Sequence, residues 1–209
     1  LKMSSARKSL RSPLVYIAIT ASAAAALLVA YLFGAFAERG TIQANDVCQN
    51  VPDRRKVVKK LNSSLPSAAD YRFGERQVVT PDSYFKSRCN VYGDEDELLL
   101  TLAAEMGSAR PWQEWVEDEV PRTSGGDRTN FNAGVKGVSN AEVAAIWVPC
   151  YASEKGSKQP WNMTVFALVH HPLEASDKEA RQTLKDLATD FARQAHKDAK
   201  CDLPSKLPG

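Results

Sequence analysis

Four cysteines, Cys48, Cys89, Cys150 and Cys201, constrain this 209-residue chain more than any other feature, because none stands before position 48 and no two are close together. An even, one-sided set of this kind reads as two disulfides formed in an oxidising compartment. A zinc site is the rival explanation, but it normally shows Cys-x-x-Cys pairs, and these cysteines are roughly 40 to 60 residues apart. No metal is expected. Two bridges demand that four distant points of the chain meet in pairs, each with Cα atoms about 4.4–6.8 Å apart. The elements between them must supply that geometry.

Residues 50–65, "NVPDRRKVVKKLNSSL", carry Val57, Val58, Leu61 and Leu65 at helical spacing, with Pro52 near the first turn. After a loop over residues 66–74, "RQVVTPDSYFKSRCNVY" and "ELLLTLAAEM" flank the charged turn Gly93-Asp94-Glu95-Asp96 and read as a β-hairpin. "RPWQEWVEDEV" places Trp112, Trp115, Val116 and Val120 on one helical stripe, and residues 121–140 read as a long Gly-rich loop with a short strand around Phe131. Two apolar runs, 142–151 and 161–171, separated by "ASEKGSKQP", make a second hairpin that Pro172 ends. Ser176 and Glu179 form an S-x-x-E capping box. Beyond it Ala180, Leu184, Leu187, Ala188, Phe191 and Ala195 recur at spacings of four and three, as on a long helix with one buried stripe.

The halves mirror each other: cysteine, helix, hairpin, then hairpin, helix, cysteine. If the last helix packs antiparallel to the strand before it, its end lies level with the hairpin turn and carries Cys201 to Cys150. The first helix runs away from Cys48 and the following strand returns to bring Cys89 back. This favours Cys48 with Cys89 and Cys150 with Cys201 over the other two connectivities. The expected fold class is α+β: an antiparallel sheet of two hairpins packed on helices and clipped by two disulfides.

Residues 14–37 form a run of twenty-four without a charge, preceded by Lys2, Arg7, Lys8 and Arg11. About twenty apolar residues cross a bilayer, whereas a secretory signal's apolar region is roughly 7–15 residues. An uncleaved signal anchor is therefore expected, with residues 1–13 cytoplasmic, 38–47 a linker and 48–209 an extracytoplasmic domain. The alternative is a secreted form cleaved after Ala37, since Ala35-Phe36-Ala37 has the small-x-small pattern. Setting aside the four basic residues of the first thirteen leaves 23 Lys and Arg against 25 Asp and Glu. Such a balance carries no basic footprint for nucleic acid.

Several residue types that usually carry chemistry stand where a structural role explains them. His170 and His171 are adjacent on a strand and point to opposite faces, and His196 sits some five turns along the last helix, so no metal triad is expected. Ser83-Tyr84-Phe85-Lys86 matches S-x-x-K, but that motif needs a helix and these residues read as strand. The acidic tip 94–97 lacks the glycine and alternation of a calcium loop. Arg54, Arg55, Lys56, Lys59 and Lys60 read as a solvated helix face, and the sequons at Asn62 and Asn162 are matches by pattern. Trp112, Trp115 and Phe131, beside the Gly-rich loop, are the candidate binding surface.

A short basic stub, one apolar span, "VCQNVPDRRKVVKKL", "RCNV", "GVKGVSNAEVAAIWVPC" and the terminal "KCDLPSKLPG" together resemble the single-pass or secreted extracytoplasmic proteins of Streptomyces and related actinobacteria, some of them sensor-like or lipoprotein-like. That resemblance implies an envelope location and an α+β domain with two disulfides; it implies no catalytic residues and no cofactor. The functional expectation is a non-enzymatic binding or interaction module of the cell envelope, for a protein partner or an envelope component. The alternative is an envelope hydrolase or transferase working around Ser83, the Gly-rich loop or the histidines.

Overall fold

The structure is a computed structural model that describes residues 38–80, 84–107, 111–118, 120, 126–152 and 161–208. The expected span at 14–37, the stub before it and Ser83 lie outside the described residues. Among the described residues no helix is long and apolar enough to cross a membrane.

From Arg39 onward the chain is one compact unit, built on a single antiparallel sheet. Its strands are β1 (Arg72–Thr80), β2 (Tyr84–Tyr92), β3 (Leu98–Met106), β4 (Thr129–Phe131), β5 (Lys136–Ser139), β6 (Val143–Tyr151) and β7 (Trp161–Val169), in the order β1-β2-β3-β7-β6-β5-β4. Helices α1 (Arg54–Ser64) and α3 (Asp177–Asp198) and the short α2 (Trp112–Asp118) complete it. The α+β class, the second hairpin (β6 with β7) and the long last helix agree with the sequence reading.

Three differences each have a physical cause. "RQVVTPDSYFKSRCNVY" is two strands rather than one, in keeping with the proline in that run, a residue type with no N–H to give a ladder, and β1 begins at Arg72, inside the stretch read as a loop. The polar, exposed β1 lacks apolar alternation because it is an edge strand. The stretch read as a linker, 38–47, contributes Ile42 and Val47 to the core, and the Asn62 side chain bonds both the N–H and the C=O of Ile42. Pro52 lies just outside α1, whose N-cap is Asp53.

In an antiparallel sheet, directly paired residues share a face. Phe85, Cys89 and Val91 of β2, Leu100, Leu102 and Ala104 of β3, Met163, Val165 and Ala167 of β7, and Ala144, Ile146 and Val148 of β6 line one face, which α1 and α3 cover. The predicted stripe of α3, from Ala180 to Ala195, is buried there, and its capping box at Ser176 and Glu179 is formed. The opposite face carries a smaller cluster of Trp115, Val120, Val138, Val143, Ala145 and Trp147.

The disulfides join Cys48 to Cys89 and Cys150 to Cys201, with Cα separations of 6.0 and 4.4 Å, the pairing the helix and strand directions favoured. No cysteine is free. Two disulfides of this kind fit a domain that folds outside the cytoplasm.

Candidate functional site

The sheet register decides where each candidate residue goes. Trp115 is 3% exposed and Trp147 4%, their ring centroids are 5.2 Å apart, and Trp112 completes a stack at 5.3 and 6.1 Å from them. These tryptophans glue the seven-residue α2 onto β6, a role that suits rings able to bury a large area from a short element. Phe131 is on the other face of the sheet. Its ring lies over Gly137, where a Cβ would come within 2.7 Å of it, and the Lys185 ammonium stands 5.2 Å above it. The three residues expected to make one binding surface are thus divided between two faces.

The histidines are structural. His171 Nε2 meets Glu97 at 3.0 Å, and His196 Nε2 bonds the Leu203 carbonyl at 2.9 Å. His170 ends a polar chain on the tryptophan face: the Asn90 amide donates to Tyr92 Oη (3.0 Å), Thr101 Oγ1 donates to Asn90 Oδ1 (3.1 Å), and His170 Nε2 lies 3.1 Å from Thr101 Oγ1. Thr101 has one proton, and it is given to Asn90, so His170 must be the donor at Nε2. Burial, helped by the neighbouring His171, pushes the His170 pKa below its ordinary value, which favours the neutral ring. A histidine donating to a threonine does not activate it as a nucleophile. No group of three metal-ligating side chains occurs among the described residues.

The charged clusters are mostly internal ties. At a cavity of about 350 Å³ between α1, α3 and the C-terminal tail, Lys56 and Arg193 hold Asp190 at 3.0 and 2.8 Å, and Lys60 holds Asp186 at 2.5 Å. The Asp190 hydrogen bond and its charge raise the Lys56 pKa. Two of the five basic residues read as a solvated face therefore bind α1 to α3. The acidic tip is pinned as well: Asp94 accepts from the Ala69 and Asp70 N–H groups, Asp96 meets Arg72, and Glu97 meets His171.

What remains is the tryptophan face of β1, β2 and β3, which no helix among the described residues covers. Two rows of paired residues cross it. One reads Arg76, Arg88, Ala103, Phe166, Ala145; the next reads Val78, Lys86, Glu105, Thr164, Trp147. Between them lies a groove of about 260 Å³. Ala103 and Thr164 form its floor, Trp115, Trp147 and Phe166 its apolar wall, and Lys86 and Arg88 its cationic wall. Lys86 is neutralised by Glu105 at 2.9 Å. Sequence reasoning found the tryptophans but not the groove, since residues 76–92 read as one continuous strand and it is the antiparallel pairing of β1 with β2 that places Arg76 opposite Arg88. Alternation within "YFKSRCNVY" was the available signal, because it puts Tyr84, Lys86 and Arg88 on the face opposite Phe85 and Cys89.

Compared with known proteins, the chain matches no family model, no curated protein and no solved structure.

Proposed function

We propose that this protein is a non-enzymatic binding module of the bacterial cell envelope, working outside the cytoplasmic membrane and attached to it through residues 14–37, in the manner of the actinobacterial extracytoplasmic proteins it resembles. The observation that carries the reading is the half-covered sheet. One face is closed by α1 and α3, while on the other the tryptophan cluster stops at the middle strands and leaves a groove with a cationic and an apolar wall. Ligand sites combine an apolar surface with a few placed polar groups in this way. The hydrogen-bonded chain ending at His170 favours no hydrolase, because its proton order leaves Thr101 unactivated.

The test is a chemical-shift titration of the protein with solubilised envelope material from the source cells. Binding should perturb the amides of Lys86, Arg88, Ala103 and Thr164, and Ala103→Trp, which fills the groove, should abolish those shifts while preserving the spectrum of α3. Perturbation confined to the helix-covered face, or none at all, refutes the reading.

A further inference from the structure

The groove's own charges narrow its ligand, on the premise that it is a binding site. Arg76 and Arg88 are directly opposite each other on neighbouring strands, both exposed, and neither has a carboxylate partner among the described residues. Like charges in that relation destabilise a sheet. Along β1, β2, β3 and β7 the same face holds a single acidic side chain, Glu105, already matched to Lys86. The surplus charge is therefore the arginine pair, of which Arg88 lines the groove and Arg76 stands directly across from it on β1. Arg88 is opposite Ala103, and Ala103 is opposite Phe166. Strands are about 4.8 Å apart, so roughly 10 Å of small-residue floor separates the cations from the apolar wall. A ring bearing one anionic group spans that distance. The free volume lies just under the ~300–1,000 Å³ usual for small-molecule pockets, which limits the body to about one or two rings.

We propose that the groove takes an organic oxyanion, a carboxylate or phosphate monoester held by Arg88 and Arg76, whose apolar ring lies over Ala103 against Phe166 and the tryptophans. Guanidinium groups suit this role because their planar donors match oxyanion geometry. The anion also relieves the repulsion between the two arginines, so binding stabilises the fold in addition to filling the groove.

Suitable probes are 2-naphthoate and 2-naphthyl phosphate, with 2-naphthylmethanol as the neutral isostere and inorganic phosphate as the anion without a ring. Tryptophan fluorescence and amide shifts follow binding. At least one aromatic anion should bind saturably at residues 86, 88, 103 and 164, and its preference over the other identifies the anionic group. Arg88→Gln and Arg76→Gln should each weaken it on the order of tenfold or more, whereas Lys136→Ala, on the same face beyond the groove, should not. Both arginine variants should unfold at or above the wild-type temperature, which separates lost binding from lost folding. Equal binding of the neutral isostere, wild-type affinity in both arginine variants, or no saturable binding of either aromatic anion overturns the proposal. Inorganic phosphate binding as tightly as the naphthyl ester overturns the role of the apolar wall. If the aromatic anions fail while envelope material still perturbs this face, only the anion inference falls and the binding-module reading stands.

Discussion

At the scale of single residues, His170 shows how position turns a reactive side chain into a structural one. Its pKa is lowered chiefly by burial, so the unfolded chain binds a proton more readily than the folded one near neutrality. Stability tied to this group is therefore complete above the unfolded value of about 6.5 and is lost as pH falls from there toward the depressed folded value. Thermal unfolding between pH 7.5 and 5 should show that loss, and His170→Gln, which keeps a donor toward Thr101, should flatten it. An unchanged slope would mean that other groups control the acid limb. Gly137 is a residue whose smallness is required. With Phe131 packed on it, Gly137→Ala should displace the ring, weaken the pairing of β5 with the edge strand β4, and destabilise the protein by about 1–3 kcal/mol, as overpacking does. Denaturant titration measures it. Gly134 stands at φ 61° with the Trp147 carbonyl 2.3 Å from where a Cβ would sit, so the chain can enter β5 only with glycine there.

At the scale of elements, the long helix was legible and the short one was not. In α3 a capping box, an apolar stripe and basic residues in the last turn all agree. Ser176→Ala should cost about 1 kcal/mol in equilibrium unfolding, since it removes the acceptor for the Glu179 N–H. In α2, seven residues long, local propensity contributes little and the tryptophans do the holding. Trp147→Ala should cost roughly 3–5 kcal/mol and release α2, read as loss of near-ultraviolet circular dichroism with the far-ultraviolet spectrum largely kept. If the cost is under about 1 kcal/mol, the cluster is an exposed surface after all. The strands β1 and β5 escaped for different reasons. β1 is a polar, exposed edge strand without apolar alternation, so its second half reads as one strand with β2 and its first half as loop. β5 is flanked by β4 and β6 and largely buried, but its four residues are too few to show a period.

At the scale of the whole molecule, the disulfides bind each helical end to its own half of the sheet. Cys48 is joined to β2, and Cys201, just past α3, is joined to β6, where the Asp202 and Leu203 N–H groups also bond the Cys150 carbonyl. Bridges with sequence separations of 41 and 51 residues are each worth about 4 kcal/mol in the chain-entropy model. A Cys150→Ser/Cys201→Ser variant should therefore lose roughly 2–5 kcal/mol and let the C-terminal tail exchange amide protons faster, while β1, β2 and β3 stay protected. A uniform loss of protection would show instead that the two halves, joined through β3 and β7, melt as one cooperative unit.

By itself the sequence determined the α+β class, the disulfide pairing, the second hairpin and the last helix with its cap. Each rests on local periodicity or on helix and strand directions that neighbouring segments impose. Only the tertiary structure decided that Trp112 and Trp115 stand apart from Phe131, that Lys56 and Lys60 are internal ties, and that Arg76 meets Arg88 beside an open groove. The ties depend on which faces of α1 and α3 meet, and the other two on the register between strands, where a one-residue slip would send every side chain of a strand to the other face. Register is set by packing across the whole sheet, which no single stretch of sequence contains.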